Sequence, residues 1–359
     1  MEIPGAAARE LREKVMQLNN AVKLATLALA LTICSANAQT SEVAKYPIVN
    51  YTDASPHKST FARVNGVNLN YLDWGGDGPA LVLIHGIGDD PHIFDDLASL
   101  LHDRFRIIAY ARRGHGLSDA PPDASTDAAT LTEDFRQLVD HLGIQRMSVI
   151  GWSMGANEGT AFAGQYPERV DKLIYLDGGY DWSTPVFFKA FGDIVAANSP
   201  GASDVRSLDA VRTWYHTAWP GKAVPWTPGL EAYLRDLTQP DAAGTLHLKP
   251  SDQASAAVFA TLGNWKRDYT KVQAPTLALY ATTFFPLDST DPALVEKLRD
   301  FNQNIMVPFR QASMERVRRE LRNVTVKQIG DRNHMTIGLQ QPDAVAATIR
   351  EFLLTPPAR

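Results

Sequence analysis

Residues 147–166 read MSVIGWSMGANEGTAFAGQY, and this stretch decides the fold. Its first residues are mostly apolar and predict a buried strand, whereas the Ala- and Gly-rich residues after Gly155 predict a helix. Gly151, Ser153 and Gly155 form the pattern G-x-S-x-G between them, and small residues at these positions let a strand and a helix approach closely. The free N–H groups at the start of the helix can then bind a developing negative charge. The placement of the pattern therefore predicts that Ser153 is a nucleophile.

Strand-like and helix-like segments alternate on both sides of this stretch. Apolar residues recur at helical spacing between several of the strand-like segments, as in residues 93–101 and 131–142. The predicted strands are an N-terminal hairpin from about Ser59 with its turn at Asn65-Gly66, then residues 81–86, 105–111, 147–153, 172–179, 275–281 and 324–330. This alternation predicts an α/β fold with a mostly parallel, eight-stranded sheet and helices on both faces.

Residues 185–265 interrupt the alternation. They contain helical fragments separated by Pro and Gly, and we interpret them as a helical cap inserted into a core formed by residues 39–184 and 266–359. The cap is rich in aromatic side chains: Phe187, Phe188, Phe191, Trp214, Tyr215, Trp219, Trp226, Tyr233 and Phe259. Any single one of them is best explained as filling the cap's own core, but together they predict an apolar substrate pocket.

The N-terminus predicts export. Residues 24–34 form an uninterrupted run of 11 apolar or small residues, with Lys23 before it and the small-x-small pattern Ala36-Asn37-Ala38 after it. Such a run is too short to span a bilayer and is typical of a signal peptide. We therefore expect removal of residues 1–38, a secreted or periplasmic location, and no stable membrane anchor after cleavage.

Composition argues against several classes of function. The chain has 359 residues, 45% of them hydrophobic, and a net charge of −5, which fits a globular protein with a substantial core. The net charge is negative and no basic face is evident, which argues against nucleic acid as a partner. The single cysteine, Cys34, lies in the predicted signal peptide, so we expect neither disulfides nor thiol catalysis in the mature chain.

The order of the motifs resembles that of the α/β-hydrolase superfamily. In chain order they are the hairpin, HGIG, RGHGLS, GWSMG, YLDGG, the cap and GDRNH before a last helix, and together they span residues 60–355. The resemblance is specific for the fold and nearly silent on the substrate, because the superfamily includes esterases, lipases, lactonases, carbon–carbon bond hydrolases and cofactor-free haloperoxidases. Its dehalogenases and epoxide hydrolases use an aspartate nucleophile, so Ser153 argues against these two activities.

The same resemblance implies roles for other parts of the site. It assigns the oxyanion hole to the backbone N–H groups of Ile87, in HGIG, and of Met154, next to the nucleophile. His85 is expected to be a structural, hydrogen-bonded residue rather than a base. His115 and Ser118, in RGHGLS, are expected to shape a loop.

His334 is the predicted general base. It lies in GDRNH, just past the last predicted strand, where the superfamily carries its histidine. Ser153 needs such a partner because a hydroxyl is a poor nucleophile until a neighbouring imidazole accepts its proton.

The acid of the triad departs from the usual pattern. In the superfamily it commonly follows the seventh strand as G-x-x-D, but here Ala281 replaces the glycine and no carboxylate stands at that spacing. Some members carry the acid at the end of the sixth strand, about 24 residues after the nucleophile. We therefore assign the acid to Asp177, 24 residues after Ser153, and keep Asp288 and then Asp291 as alternatives.

The sequence as a whole predicts an exported serine hydrolase that cleaves small-molecule carboxylic esters through an acyl-enzyme, with apolar acyl or aryl groups preferred. No metal and no cofactor are expected. The alternatives on the same triad are a lactonase, a carbon–carbon bond hydrolase and a cofactor-free haloperoxidase. An alternative of another class is a non-catalytic ligand-binding protein on a hydrolase scaffold.

Overall fold

The structure is a computed structural model, and it describes residues 53, 55–121, 125–219, 221, 224–241, 245–250, 252–339 and 342–356. The predicted signal peptide, residues 1–38, lies outside the described residues. Among the helices described, none combines the length and the apolar character that a membrane span requires.

Eight strands form the central sheet in the order β1-β2-β4-β3-β5-β6-β9-β10. Only the pairs β1–β2 and β2–β4 are antiparallel, and the other five pairs are parallel. The strands are β1 (Lys58–Val64), β2 (Val67–Gly75), β3 (Ala80–Ile84), β4 (Arg106–Tyr110), β5 (Met147–Trp152), β6 (Val170–Leu176), β9 (Thr276–Thr283) and β10 (Val324–Asn333). The predicted mostly parallel, eight-stranded sheet is confirmed.

The N-terminal hairpin turns where the sequence predicts. Asn65 and Gly66 have φ angles of +43° and +82°, the left-handed pair that a two-residue turn of a twisted hairpin requires. The turn brings Val64 opposite Val67 and so sets the register of β1 against β2.

Helices cover both faces of the sheet. The described helices are α1 (Asp95–Ser99), α2 (Ala128–His141), α3 (Gly155–Gln165), α4 (Pro185–Ala197), α5 (Leu208–Ala218), α6 (Pro228–Asp236), α7 (Asp252–Asn264), α8 (Pro292–Asp300), α9 (Val307–Glu320) and α10 (Pro342–Leu354). Alternate residues of β3 enter two different apolar clusters: Val82 belongs to the cluster that contains Phe135 of α2, whereas Leu83 belongs to the cluster that contains Ile349 of α10. The sheet therefore separates two apolar cores.

The segment between β6 and β9 contains α4 to α7 and a small antiparallel sheet of β7 (Thr238–Pro240) and β8 (Leu246–Leu248). These elements fall within the residues predicted as the cap, whose boundaries stay a prediction. Phe187 and Phe191 of α4 share an apolar cluster with Phe301, in the π-helical turn Phe301–Met306 between α8 and α9. Residues 292–320, which the sequence analysis assigned to the core, therefore pack against the first helix of the insertion.

Candidate active site

The turn between β5 and α3 holds Ser153 in a strained conformation. Its φ is +52°, in the left-handed region that costs a non-glycine residue about 1–3 kcal/mol. The flanking glycines make the turn possible: a Cβ at Gly155 would overlap the backbone of Ile84, and one at Gly151 would lie 2.5 Å from the Cα of Ala156. The small residues of GWSMG thus permit close packing of strand and helix around the serine.

Ser153, His334 and Asp177 form one hydrogen-bonded chain. Nε2 of His334 lies 3.0 Å from Oγ of Ser153, and Nδ1 lies 2.7 Å from Oδ2 of Asp177. Ser153, His334 and Asp177 are buried, with 7%, 3% and 0% of their surface exposed. This arrangement allows a proton to pass from Oγ to Nε2 while the carboxylate accepts the N–H of Nδ1.

The end of strand β6 positions Asp177. Its φ is +43°, and its N–H donates to the carbonyl of Leu279 in the neighbouring strand β9 at 2.8 Å. Its carboxylate oxygen Oδ1 accepts from the hydroxyl of Tyr180 at 2.9 Å and from the N–H of Ala281 at 3.0 Å. These bonds hold the carboxylate in place with Oδ2 directed at His334.

The two alternative acids lie in other environments. Asp291 caps helix α8 by accepting from the N–H of Ala293 at 2.9 Å. Asp288 packs against Gly221, where an added Cβ would lie 2.6 Å from Oδ2 of the carboxylate. Within the described parts of the chain, Asp177 is the carboxylate that meets Nδ1 of His334.

Aromatic side chains hold the imidazole of His334. Phe284 stacks on it with ring centroids 4.1 Å apart and an interplanar angle of 8°, and Trp182 meets it edge-on at 5.8 Å. The indole N–H of Trp152 donates to the backbone carbonyl of His334 at 3.2 Å. Because these contacts restrict the ring, Nε2 stays directed at Ser153.

The predicted oxyanion donors border the serine. Met154 is buried and directly precedes α3, so its N–H belongs to the positive end of that helix. A Cβ at Gly86 would lie 3.3 Å from the Cβ of Ser153, which places the loop that carries Ile87 beside this serine. Their role as oxyanion donors stays a prediction.

His85 has a structural environment, as the sequence analysis expected. Its Nε2 accepts from the backbone N–H of Arg112 at 2.9 Å, and its Nδ1 donates to the carbonyl of Gly86 at 2.8 Å. Burial lowers the pKa of His85 well below its usual range, and the positive charge of Arg112 adds to this shift. Both ring nitrogens are thus engaged in holding the loop after β3.

The loop of RGHGLS is tied together by its polar side chains. Oγ of Ser118 donates to the carbonyl of Ala111 at 2.7 Å and accepts from the N–H of Asn70 at 2.9 Å. Nδ1 of His115 donates to the carbonyl of Arg113 at 3.1 Å. Burial lowers the pKa of His115 to about 3, so the ring is neutral at physiological pH. Both residues shape the loop, as expected.

Sequence reasoning missed Asp89, a buried carboxyl group close to Ser153. A Cβ at Gly86 would lie 2.5 Å from Oδ2 of Asp89, and the same glycine borders Ser153. Oδ1 of Asp89 accepts from the hydroxyl of Tyr233 in helix α6 at 2.8 Å. Burial raises the pKa of Asp89 to about 7, although this hydrogen bond opposes the shift. The only local signal was the acidic pair after HGIG, because Tyr233 follows 144 residues later.

Sequence reasoning also missed a contact that holds the carboxylate of Asp177. The hydroxyl of Tyr180, which donates to Asp177, accepts from Nε of Arg310 at 3.3 Å. Arg310 is buried and also donates to the carbonyl of Thr282 at 2.7 Å. Burial, with the negative charge of Asp177 adding to it, raises the pKa of Tyr180 well above its usual range, so its hydroxyl keeps the proton that it donates.

Comparison with known proteins points to the same family and fold. The family model described as the alpha/beta hydrolase fold matches residues 79–215. An uncharacterized protein of Mycobacterium tuberculosis is 36% identical over 127 residues, which cover 35% of this chain and 37% of that protein. A 2-(acetamidomethylene)succinate hydrolase of Mesorhizobium japonicum is 34% identical over 102 residues, which cover 28% of this chain and 36% of that enzyme. The matched parts thus span less than half of the length of these relatives.

Among solved structures, that of E-2-(acetamidomethylene)succinate hydrolase aligns with a TM-score of 0.63 and 23% identity, covering 83% of this chain and 100% of that one. At this identity the likeness shows the fold alone. It confirms the fold that the motifs predicted.

Proposed function

We propose that this chain, which belongs to the α/β-hydrolase superfamily, is a serine hydrolase that cleaves carboxylic esters through an acyl-enzyme. The observation that carries the proposal is the continuous hydrogen-bonded chain from Oγ of Ser153 through His334 to Asp177. It supplies a nucleophile, a base and a group that orients the base, which together are sufficient for acyl transfer.

The reaction runs in two halves. Oγ of Ser153 attacks the ester carbonyl as its proton moves to Nε2 of His334, and the backbone N–H groups of Ile87 and Met154 bind the oxyanion. The tetrahedral intermediate collapses, the ester C–O bond breaks, and His334 returns the proton to the departing alcohol. Water then attacks the acyl-enzyme with His334 as its base, and the acid product leaves with Ser153 restored. Asp177 stabilises the imidazolium in both halves.

The surroundings of His334 favour apolar substrates. Phe284, which stacks on the imidazole, also meets Phe191 of α4 at 5.7 Å, and Trp182 meets Phe187 of α4 at 5.0 Å between ring centroids. Aromatic side chains therefore extend from the base into the first helix of the insertion. An acyl or aryl group next to the serine would meet this apolar wall, which would stabilise it through burial of apolar surface.

Export forms part of the proposal, and its support is the N-terminal sequence alone. The run at residues 24–34 and the small residues at 36–38 fit a cleaved signal peptide. The mature enzyme would then act outside the cytoplasm on small ester substrates.

A substrate panel tests the proposed class. Purified enzyme is assayed with p-nitrophenyl esters of increasing acyl length, with aryl esters and with lactones. The kcat/KM value of each substrate is then compared. We expect turnover of esters, with kcat/KM rising as the acyl group becomes larger and more apolar. A preference for strongly polar or charged esters of equal size would contradict the apolar pocket, and turnover of lactones without esters would contradict the substrate class.

A further inference from the structure

A second cluster of ionisable side chains joins three segments that are far apart in the sequence. Asp53 and His57 precede β1, His92 and Asp95 follow β3, and Asp236 ends helix α6. Nε2 of His57 lies 3.3 Å from Oδ2 of Asp53 and 3.5 Å from Oδ1 of Asp95. His92 lies 3.0 Å from Asp95 through Nδ1 and 3.6 Å from Asp236 through Nε2. We call these five residues the Asp/His cluster.

Several atoms of the Asp/His cluster are buried without a hydrogen-bond partner. The His57 side chain is 1% exposed, and neither of its ring nitrogens makes a hydrogen bond within the described parts of the chain. The same holds for Oδ1 of Asp95, whose side chain is 5% exposed. Native proteins satisfy nearly all buried polar groups, and Nε2 of His57 meets the Asp53 and Asp95 carboxylates only through ion-pair contacts of 3.3 and 3.5 Å, so a ligand bound at this nitrogen would satisfy it better.

The spacing of these atoms fits a metal ion. Zn²⁺ binds His nitrogen and carboxylate oxygen at about 2.0–2.2 Å, so two ligands of a tetrahedral site lie about 3.3–3.6 Å apart. The distance of 3.3 Å from Nε2 of His57 to Oδ2 of Asp53 falls in this range. One ligand atom each from Asp53, His57 and His92 also lie within 4.8 Å of one another.

A neighbouring carboxylate orients the candidate ligand His92. Oδ2 of Asp95 lies 3.0 Å from Nδ1 of His92 and also accepts from Oγ of Ser55 at 2.7 Å, so Asp95 fixes the imidazole ring. Metal sites use such outer hydrogen bonds to fix the orientation of carboxylates and imidazoles.

We propose that the Asp/His cluster binds a divalent transition-metal ion of the Zn²⁺ type, with Asp53, His57 and His92 as its candidate ligands. Two imidazoles with one carboxylate are a donor set that suits Zn²⁺ better than Ca²⁺ or Mg²⁺. The ion would link the segment before β1 to the loop after β3. That loop contains Gly86 and Ile87, so the metal would stabilise the backbone of the predicted oxyanion hole without entering the reaction. The site departs from the sequence expectation that the protein needs no metal.

Zinc binding to the full, metal-depleted protein tests the proposal. The protein is dialysed against chelator and titrated with ZnCl2 by isothermal calorimetry, and metal content after gel filtration is measured by mass spectrometry. We expect one equivalent of Zn²⁺ per chain and a rise in the thermal midpoint on its addition. His57→Gln and Asp53→Asn should each weaken zinc binding at least 100-fold, and circular dichroism verifies that the variants are folded.

His247→Gln is the matched control. His247 also forms a histidine–aspartate pair, at 3.1 Å from Asp241, but its side chain is 62% exposed. This variant should bind zinc like the wild type. If the wild type shows no saturable binding of Zn²⁺, the proposal is overturned, because the cluster is then a set of ion pairs only. Equal zinc affinity in the wild type and in the folded Asp53→Asn and His57→Gln variants would overturn it as well.

Discussion

Asp89 gives the fold a pH-dependent stability that one substitution should remove. Burial raises its pKa from 3.8 to about 7, so the folded protein holds a proton that the unfolded chain releases between these two values. The free energy of unfolding therefore falls as the pH rises from about 4 to about 7. The shift of about three pKa units corresponds to about 4 kcal/mol of the free energy of unfolding. About 3 kcal/mol of this contribution is lost above pH 5.

Asp89→Asn should abolish this contribution, because an amide remains neutral and still offers an oxygen to the hydroxyl of Tyr233. Urea unfolding followed by tryptophan fluorescence at pH 5 and pH 8 gives the free energies. Relative to the variant, the wild type should lose about 3 kcal/mol of stability between these pH values. Asp193→Asn is the control, since that carboxylate is 68% exposed. An equal wild-type-to-variant difference at both pH values would refute the reasoning.

Three further predictions concern the triad acid, a buried histidine and export. Asp177→Asn should lower kcat by about 10⁴-fold in folded protein, whereas the kcat of Asp288→Asn should stay close to that of the wild type. The opposite result would show that Asp288 is the acid of the triad. His115 is neutral in the fold with a pKa of about 3, so the free energy of unfolding should fall as the pH drops from about 6.5 toward 3, by up to about 5 kcal/mol. Unfolding curves of His115→Asn should show a weaker pH dependence in this range, and an unchanged one would contradict the assignment. N-terminal mass spectrometry of exported protein should find a chain that begins at Gln39, whereas soluble protein that retains residues 16–38 would exclude cleavage.

The sequence predicted those parts of the fold and site that depend on local patterns. The hairpin turn at Asn65-Gly66 and the strand-to-helix turn at Ser153 both require special backbone conformations, which leave small residues at fixed positions. His334 could be placed because it follows the last strand of a recognisable order of elements.

The remaining contacts depend on pairings across the chain that no local pattern encodes. The choice between Asp177 and Asp288 depended on the course of the loop after β9, which the sequence does not encode. In the structure the N–H of Ala281, near the end of β9, donates to Asp177. Asp89 and its partner Tyr233 are 144 residues apart, so neither identifies the other in the sequence. The Asp/His cluster likewise joins three separate segments, and its histidines lie outside every motif that was recognised.

The most direct test of the proposed activity is covalent labelling of Ser153. A fluorophosphonate probe should add once to the purified wild-type enzyme, and peptide mass spectrometry should locate the adduct on the peptide that contains GWSMG. Ser153→Ala should lose both the label and nearly all ester turnover, because the serine and histidine of such a pair act as a unit. An unlabelled wild type, or a Ser153→Ala variant with wild-type turnover, would contradict the account.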